Sequence, residues 1–218
     1  MSERRSFPAP PSRPGALLLT AHPSPEGFNS ALAMAWRDGA EAAGLHVEQI
    51  HVADLAFDPC RRGGYGIEEV LEPDLIHVRD AIARAAHVVV ASPLWWSSIP
   101  ASLKGLFDRV LLPGWAFRYE NHRPVAGLTG RSGRLIMTMD APVWYDTLVY
   151  RGAARRQVAQ GTLRFCGLSP VRVNAFGSIG TSTDAARQRM LDRCRTEGAR
   201  DARQVLARFS DAVPALAG

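Results

Sequence analysis

Several protein classes are excluded by what this chain lacks. No apolar run approaches the roughly 18 residues of a membrane-spanning helix, so membrane insertion through a helix is not expected. The first 15 residues carry arginines and prolines but no apolar stretch of the kind a signal peptide needs. Only three cysteines occur, Cys60, Cys166 and Cys194, widely spaced and without a C-x-x-C pair. That pattern speaks against a disulfide framework and for free thiols in a reducing, cytoplasmic setting. Neither G-x-G-x-x-G nor G-x-x-x-x-G-K-S/T is present, which removes the two commonest glycine-rich phosphate loops. The net charge is +5, from 26 basic and 21 acidic residues. There is no basic stripe interleaved with aromatics and no helix-turn-helix signature, so the surplus suits an anionic ligand rather than nucleic acid. Part of it sits at the start of the chain, where Arg4, Arg5 and Arg13 outweigh Glu3.

What is present is ordinary globular composition, 46% hydrophobic and 22% charged over 218 residues, enough for one domain with a sizeable core. Residues 1–14, rich in proline and arginine, lack the apolar content to drive ordering and read as a disordered or draped extension. The domain proper is expected over 15–212. Apolar or alternating runs predict strands over 16–21, 45–52, 87–91, 134–139 and 171–176. Helical spacing predicts helices over 30–43 (Leu32, Trp36, Ala40), 74–86 (Leu75, Val78, Ile82, Ala85), 101–112, 153–166 and 183–209, the last burying Leu191, Val205 and Leu206. Three long loops remain, 57–73 with Gly63-Gly64 and Gly66, 115–130 and 141–150; loops of such length are often functional. Five strands alternating with helices give an α/β domain with a doubly wound parallel sheet.

The most informative stretch is Pro93-Leu94-Trp95-Trp96-Ser97-Ser98-Ile99-Pro100-Ala101. It follows the run His87-Val88-Val89-Val90-Ala91, which reads as a strand buried on both faces. Pro93 ends that strand, and the loop lies at its carboxyl end, where open α/β sheets bind ligands. Two indoles offer flat apolar surface, and the serines and backbone amides offer hydrogen bonds, a combination suited to a planar heteroaromatic ligand. A single tryptophan is more often core; two adjacent ones in a loop cannot both point inward, so at least one lies on a surface or lines a pocket. The loop from His22 to Ser30 joins the first strand to a helix N-terminus. Unpaired amides there, with Ser24, Asn29, Ser30 and His22, suit a phosphate; Ser24 and Asn29 are equally residues that cap helices.

Ala21-His22-Pro23, Phe28-Asn29-Ser30, Ser92-Pro93-Leu94-Trp95-Trp96, Ile99-Pro100-Ala101, Leu103-Lys104-Gly105, Asp108-Arg109-Val110 and Ala116-Phe117-x-Tyr119 together resemble the NAD(P)H:quinone oxidoreductase family with a flavodoxin-like fold. Phe165-Cys166-Gly167 and Gly177 with Ile179-Gly180 extend the resemblance to the C-terminal half. It implies a three-layer sandwich around a five-stranded parallel sheet of order 2-1-3-4-5, a bound flavin (FAD favoured, FMN the other choice), and a homodimer with the active site at the interface. It implies NAD(P)H as co-substrate and a quinone or related electrophile as acceptor, reduced by two electrons in a ping-pong cycle. Azo and nitro compounds are alternative acceptors, and a flavin-bearing regulatory subunit of a membrane transport system is the alternative role. By the same resemblance His22, Ser24, Phe28, Asn29 and Ser30 hold the flavin's phosphate end. Pro93, Leu94, Trp95, Trp96 and Ser97 wrap its ring, with Thr138, Met139, Asp140 and Ala141 along the other side. Phe117, Tyr119 and Tyr145 are the catalytic-pocket residues. Many relatives have Thr-Thr-Gly-Gly where this chain has Thr138-Met139-Asp140-Ala141; Asp140 reads equally as a helix N-cap before Pro142. Tyr145 matches, but no histidine follows it; Tyr150 and Arg151 occupy that region.

Overall fold

The computed structural model describes residues 6–63 and 69–210. Arg4, Arg5, Gly64, Gly66 and the domain end expected at 212 lie outside those residues. Five parallel strands form the sheet: β1 (Ala16–Thr20), β2 (Val47–His51), β3 (His87–Pro93), β6 (Ser132–Thr138) and β7 (Val171–Phe176), in the order β2-β1-β3-β6-β7. With the five parallel strands counted alone, this is the expected 2-1-3-4-5. The three central strands are buried along their whole length, while β2 and β7 alternate. Helices cover both faces of the centre, so uninterrupted apolar runs such as Val88-Val89-Val90 are what that position requires.

Successive side chains leave the sheet on opposite faces. Leu17, Leu19, Val88, Val90 and Leu135 pack on one face with Leu75, Val78 and Ile82 of α2 (Pro73–Arg84) and Leu103 and Leu106 of α3 (Ala101–Val110). Leu18, Val89 and Ile136 pack on the other with Leu32 and Trp36 of α1 (Phe28–Ala42) and Val205 of α6 (Asp184–Ser210). Helices α1 and α6 meet through glycine: a Cβ on Gly39 would stand 1.9 Å from the Arg195 carbonyl oxygen, and one on Gly198 would stand 2.0 Å from that of Trp36. Backbone on backbone is the tightest approach two helices make. The buried stripe of α6 is Cys194, Gly198, Asp201, Ala202 and Val205, with Leu191 and Leu206 only partly buried.

Asp201 is the centre of a polar network inside this layer. Its carboxylate accepts hydrogen bonds from Arg134 Nε and Nη2 and from Trp36 Nε1. Arg134 also donates to Glu197 and to the side-chain oxygen of Asn174. Burial alone would raise the Asp201 pKa; the hydrogen bonds from Arg134, with the His87 ring close by, overcome this and hold the carboxyl far below the usual range.

Three departures from the expected elements bear on function. The 115–130 loop contains an antiparallel hairpin, β4 (Phe117–Glu120) and β5 (Arg123–Ala126), turned through Asn121 and His122 at positive φ. The 141–150 loop contains a short helix, α4 (Val143–Leu148). The expected 153–166 helix is α5 (Ala153–Arg156) running into a π-helix over Gln157–Arg164. Residues 6–14 run along the hairpin and the start of β6: the Arg118 guanidinium lies 4.2 Å from the Phe7 ring centroid, and the Ala9 carbonyl accepts a 2.8 Å hydrogen bond from Arg131 Nη2.

Candidate functional site

The carboxyl ends of β1, β3, β6 and β7 open into four loops, and hydrogen bonds knit them together. Leu94 N–H donates to the Thr138 carbonyl at 2.8 Å, and Met139 N–H to that of Phe176 at 2.9 Å. Asn29 Nδ2 donates to Thr138 Oγ1 at 3.1 Å, with both residues buried. The cofactor residues expected from sequence therefore come from separated segments to one edge of the sheet.

The first loop is set by the start of α1. The N-cap is Gly27, with no side chain to accept from the first-turn amides, which an α-helix leaves without internal partners. A Cβ on Gly27 would lie 2.5 Å from the His22 ring, so glycine is what lets that imidazole sit over the helix start. His22 Nδ1 accepts from Ser24 N–H at 3.1 Å, and the Ser24 carbonyl accepts from Ser30 Oγ at 3.0 Å. Ser24 Oγ accepts from Glu26 N–H rather than from the helix. Asn29 spends its amide nitrogen on Thr138 and leaves a buried Oδ1 with no partner; an orphaned buried acceptor is costly unless a ligand completes it. Phe28 is braced by the Arg187 guanidinium, 5.3 Å from its ring centroid.

The double-tryptophan loop is a two-residue turn. Trp95 and Ser98 exchange backbone hydrogen bonds of 2.9 Å in each direction, and between them Trp96 and Ser97 have φ of 52° and 56°. This is the left-handed pair that glycine and asparagine favour, imposed here on Trp and Ser at about 1–3 kcal/mol each. The turn leaves Trp96 wholly exposed and Trp95 half exposed, with the Trp95 ring 6.4 Å from that of His22 in an edge-on arrangement. Pro93 remains in the ladder opposite Thr138.

On β6, Thr138 and Met139 are buried, and Met139 belongs to the core. Asp140 is not the cap of α4, whose N-cap is Pro142 with no side-chain hydrogen bond. Instead Asp140 Oδ1 accepts from Gly180 N–H at 3.1 Å, while Ala141 O accepts from Ser178 N–H. The carboxylate thus clasps the loop after β7, a role that no local sequence signal announces.

Phe117 and Tyr119 form a second wall. They line a cavity of about 600 Å³ with Phe107, Leu111, Phe165 and Lys104. Phe117 packs edge-on against Tyr119 and Phe165, at centroid distances of 5.9 and 4.9 Å. Phe165, at the end of the π-helix, is a cavity residue that periodicity hides within a helical run; π-helical turns concentrate at functional sites. Tyr145 stands elsewhere, on α4 between Trp144 and Tyr150 at 5.8 and 5.7 Å. Among the described residues no ring contact joins it to Phe117 or Tyr119, and it does not line their cavity. Trp144, Leu148, Val149 and Tyr150 are all exposed beside it.

A model of proteins with the flavodoxin-like fold matches residues 15–197. The chain belongs to the flavodoxin-like fold family. Within that family it is 28% identical over 184 residues to a Haemophilus influenzae protein named an uncharacterized NAD(P)H oxidoreductase, covering 81% of this chain and 90% of that one. It is 25% identical over 207 residues to NAD(P)H dehydrogenase [quinone] 1 of Rattus norvegicus, covering 81% and 73%. Among solved structures, an NAD(P)H:quinone oxidoreductase from Methanothermobacter marburgensis superposes with a TM-score of 0.74 at 24% identity, covering 86% and 96%. The family match takes in all four loops and the hairpin, and begins just after the segment that packs on that hairpin.

Of the thiols, Cys166 lines the cavity of Phe117 and Tyr119, and Cys60 and Cys194 do not. All three cysteines are free. Burial pushes Cys166 and Cys194 up to about 12, which keeps both as inert thiols. No helix of the described residues is long and apolar enough to cross a membrane.

Proposed function

We propose that this protein is a flavin-dependent NAD(P)H oxidoreductase that carries out two-electron reduction of quinones or related flat electrophiles, the two substrates taking turns in one slot. The observation that carries the reading is the loop edge itself. A helix start without a cap, a buried Asn29 oxygen without a partner and a strained turn presenting two indoles occur together there. These residues fit a flavin. The first-turn amides of α1, with Ser30 and Asn29, would hold its phosphate end. The Trp95–Ser98 turn and the segment 138–141 would flank its ring system. Bound there, a flavin supplies the hydride chemistry that no side chain of this edge supplies.

The chain's own part is placement and exclusion of water. Phe117 and Tyr119 would shape the acceptor slot, which Tyr145, apart from their cavity within one chain, would join across the homodimer proposed below. Tyr145 and Arg151, which has φ of 53°, would stabilise negative charge developing beside the ring. FAD is the flavin proposed. A homodimer is proposed as well, with a second copy covering Trp144, Leu148 and Val149 and bringing its hairpin to the neighbouring loop edge. Free thiols favour a cytoplasmic setting.

The test is the visible spectrum of purified protein, reconstituted with flavin and kept anaerobic, before and after NADPH is added. An oxidised flavin band that bleaches, then returns with a quinone, supports the reading, and the mass of the released flavin separates FAD from FMN. Failure to take up flavin overturns it. A bound flavin that neither NADPH nor NADH bleaches leaves a flavoprotein of another role.

A further inference from the structure

At the opposite end of the sheet, where the strands begin, lies a polar cavity of about 140 Å³. That is room for four or five waters at about 30 Å³ each. Its walls include His87 at the start of β3, Ser132 at the start of β6, Arg172 of β7, and Asp201, Gln204 and Arg208 of α6. The elements that build it are the most regular in the molecule.

The charges around it do not cancel. Asp201 and Glu197 are both bound by Arg134, deep in the layer. Arg172 Nη1 reaches no closer than 3.6 Å to Asp201. Arg208 Nη2 has only neutral acceptors, the Ala86 carbonyl at 3.2 Å and Ser132 Oγ at 3.1 Å. Three guanidiniums thus meet two carboxylates, and both arginines without a close carboxylate partner face the cavity.

The imidazole gives an independent sign of a ligand. His87 is 1% exposed and lines the cavity. Its ring is fixed by stacking on Trp36 at 5.7 Å and by a 2.8 Å hydrogen bond between Nδ1 and Ser132 Oγ. Its Nε2 makes no hydrogen bond, although the nearest carboxylate oxygen, Asp201 Oδ2, is 3.4 Å away. A buried ring nitrogen held rigidly without a partner is an expensive feature unless a ligand uses it. Two guanidinium forks, a hydroxyl and a side-chain amide around one small space are the donor set that suits a phosphoryl or similar oxyanion.

We propose that this cavity is a second ligand site, for a small oxyanion of phosphate size, held between Arg172 and Arg208 at the end of the sheet remote from the double-tryptophan turn. The site is independent of any flavin, because the two edges share no lining residue.

The probe is inorganic phosphate, titrated calorimetrically into the full-length protein. Saturable binding is expected. Arg172→Gln and Arg208→Gln are each expected to weaken it roughly tenfold or more, the effect of losing one charge-assisted contact. Both side chains reach the surface, so the variants are expected to fold, and Arg172, 29% exposed with one loose contact, is the safer of the two. Absence of saturable binding overturns the proposal. So does binding that survives the Arg172→Gln/Arg208→Gln double variant.

Discussion

The two ends of the same five strands are built on opposite rules. At the amino ends, polar groups are buried and almost all matched: Arg134 with Asp201, Glu197 and Asn174, Trp36 with Asp201, and Arg131 with four carbonyls. At the carboxyl ends, aromatic rings are exposed, an amide oxygen is orphaned, and two non-glycine residues occupy left-handed backbone. One end is dominated by matched polar pairs that hold the strands in place; the other carries the strain and exposure that the proposed flavin would relieve. Where sequence and fold disagree locally, function is the usual reason.

That contrast can be broken most sharply at its stable end. Asp201→Ala leaves Arg134 buried with only Glu197 to answer its charge and should cost about 3–5 kcal/mol, read as a lower denaturant midpoint. Gly198→Ala drives a methyl into the Trp36 carbonyl and should cost at least about 1–3 kcal/mol by forcing α1 and α6 apart. A third prediction concerns acid. Burial lowers the His87 pKa below the usual imidazole range, with the Asp201 carboxylate opposing, and Asp201 lies below the usual carboxylate range. Both groups are therefore lowered in the folded state, and each contributes stability above its unfolded pKa that is lost as pH falls. Stability should be level above about pH 6.5, decline as pH drops below it, and decline again below about 4; urea melts across that range check this. His87→Gln should remove the first decline and keep the second.

The ligand end should respond in the other direction. Ser97→Gly relieves a left-handed backbone position and should stabilise the protein by about 1 kcal/mol, read as a raised midpoint. Trp96→Ala removes a wholly exposed ring, so its effect on stability should stay within about 0.5 kcal/mol. It should nevertheless weaken flavin retention, measured as flavin released on dialysis. Unchanged retention would remove Trp96 from the ring wall.

The central strands were legible because their burial is local and continuous: Val88-Val89-Val90 has only one comfortable place. The hairpin was not, because its strands read Phe-Arg-Tyr-Glu and Arg-Pro-Val-Ala, charged and proline-bearing, and its turn is Asn121-His122 rather than Asn-Gly. Asp201 was hidden in Ala199-Arg200-Asp201-Ala202-Arg203, which looks like a solvated helix face. Its partner, Arg134, stands 67 residues away on β6. At the carboxyl edge, the residue types of the His22–Ser30 loop suggested an anion site without family knowledge, and that reading stands as a proposal. Gathering Asn29, Trp95 and Thr138 at one edge required the tertiary structure. Asp140 shows the remaining limit of local reading: its partner is the amide of Gly180, in a loop 40 residues further on.

The contacts of Phe7 and Ala9 set an order on how this chain is finished. Ala9 docks on Arg131, 122 residues further along. At about 5–20 residues per second of synthesis, this segment waits on the order of ten seconds for its seat to exist. When it arrives, Phe7 lies under Arg118, between Phe117 and Tyr119 in sequence. Residues 6–14 thus back the hairpin that walls the proposed acceptor slot, a brace that forms only after β6 has been made.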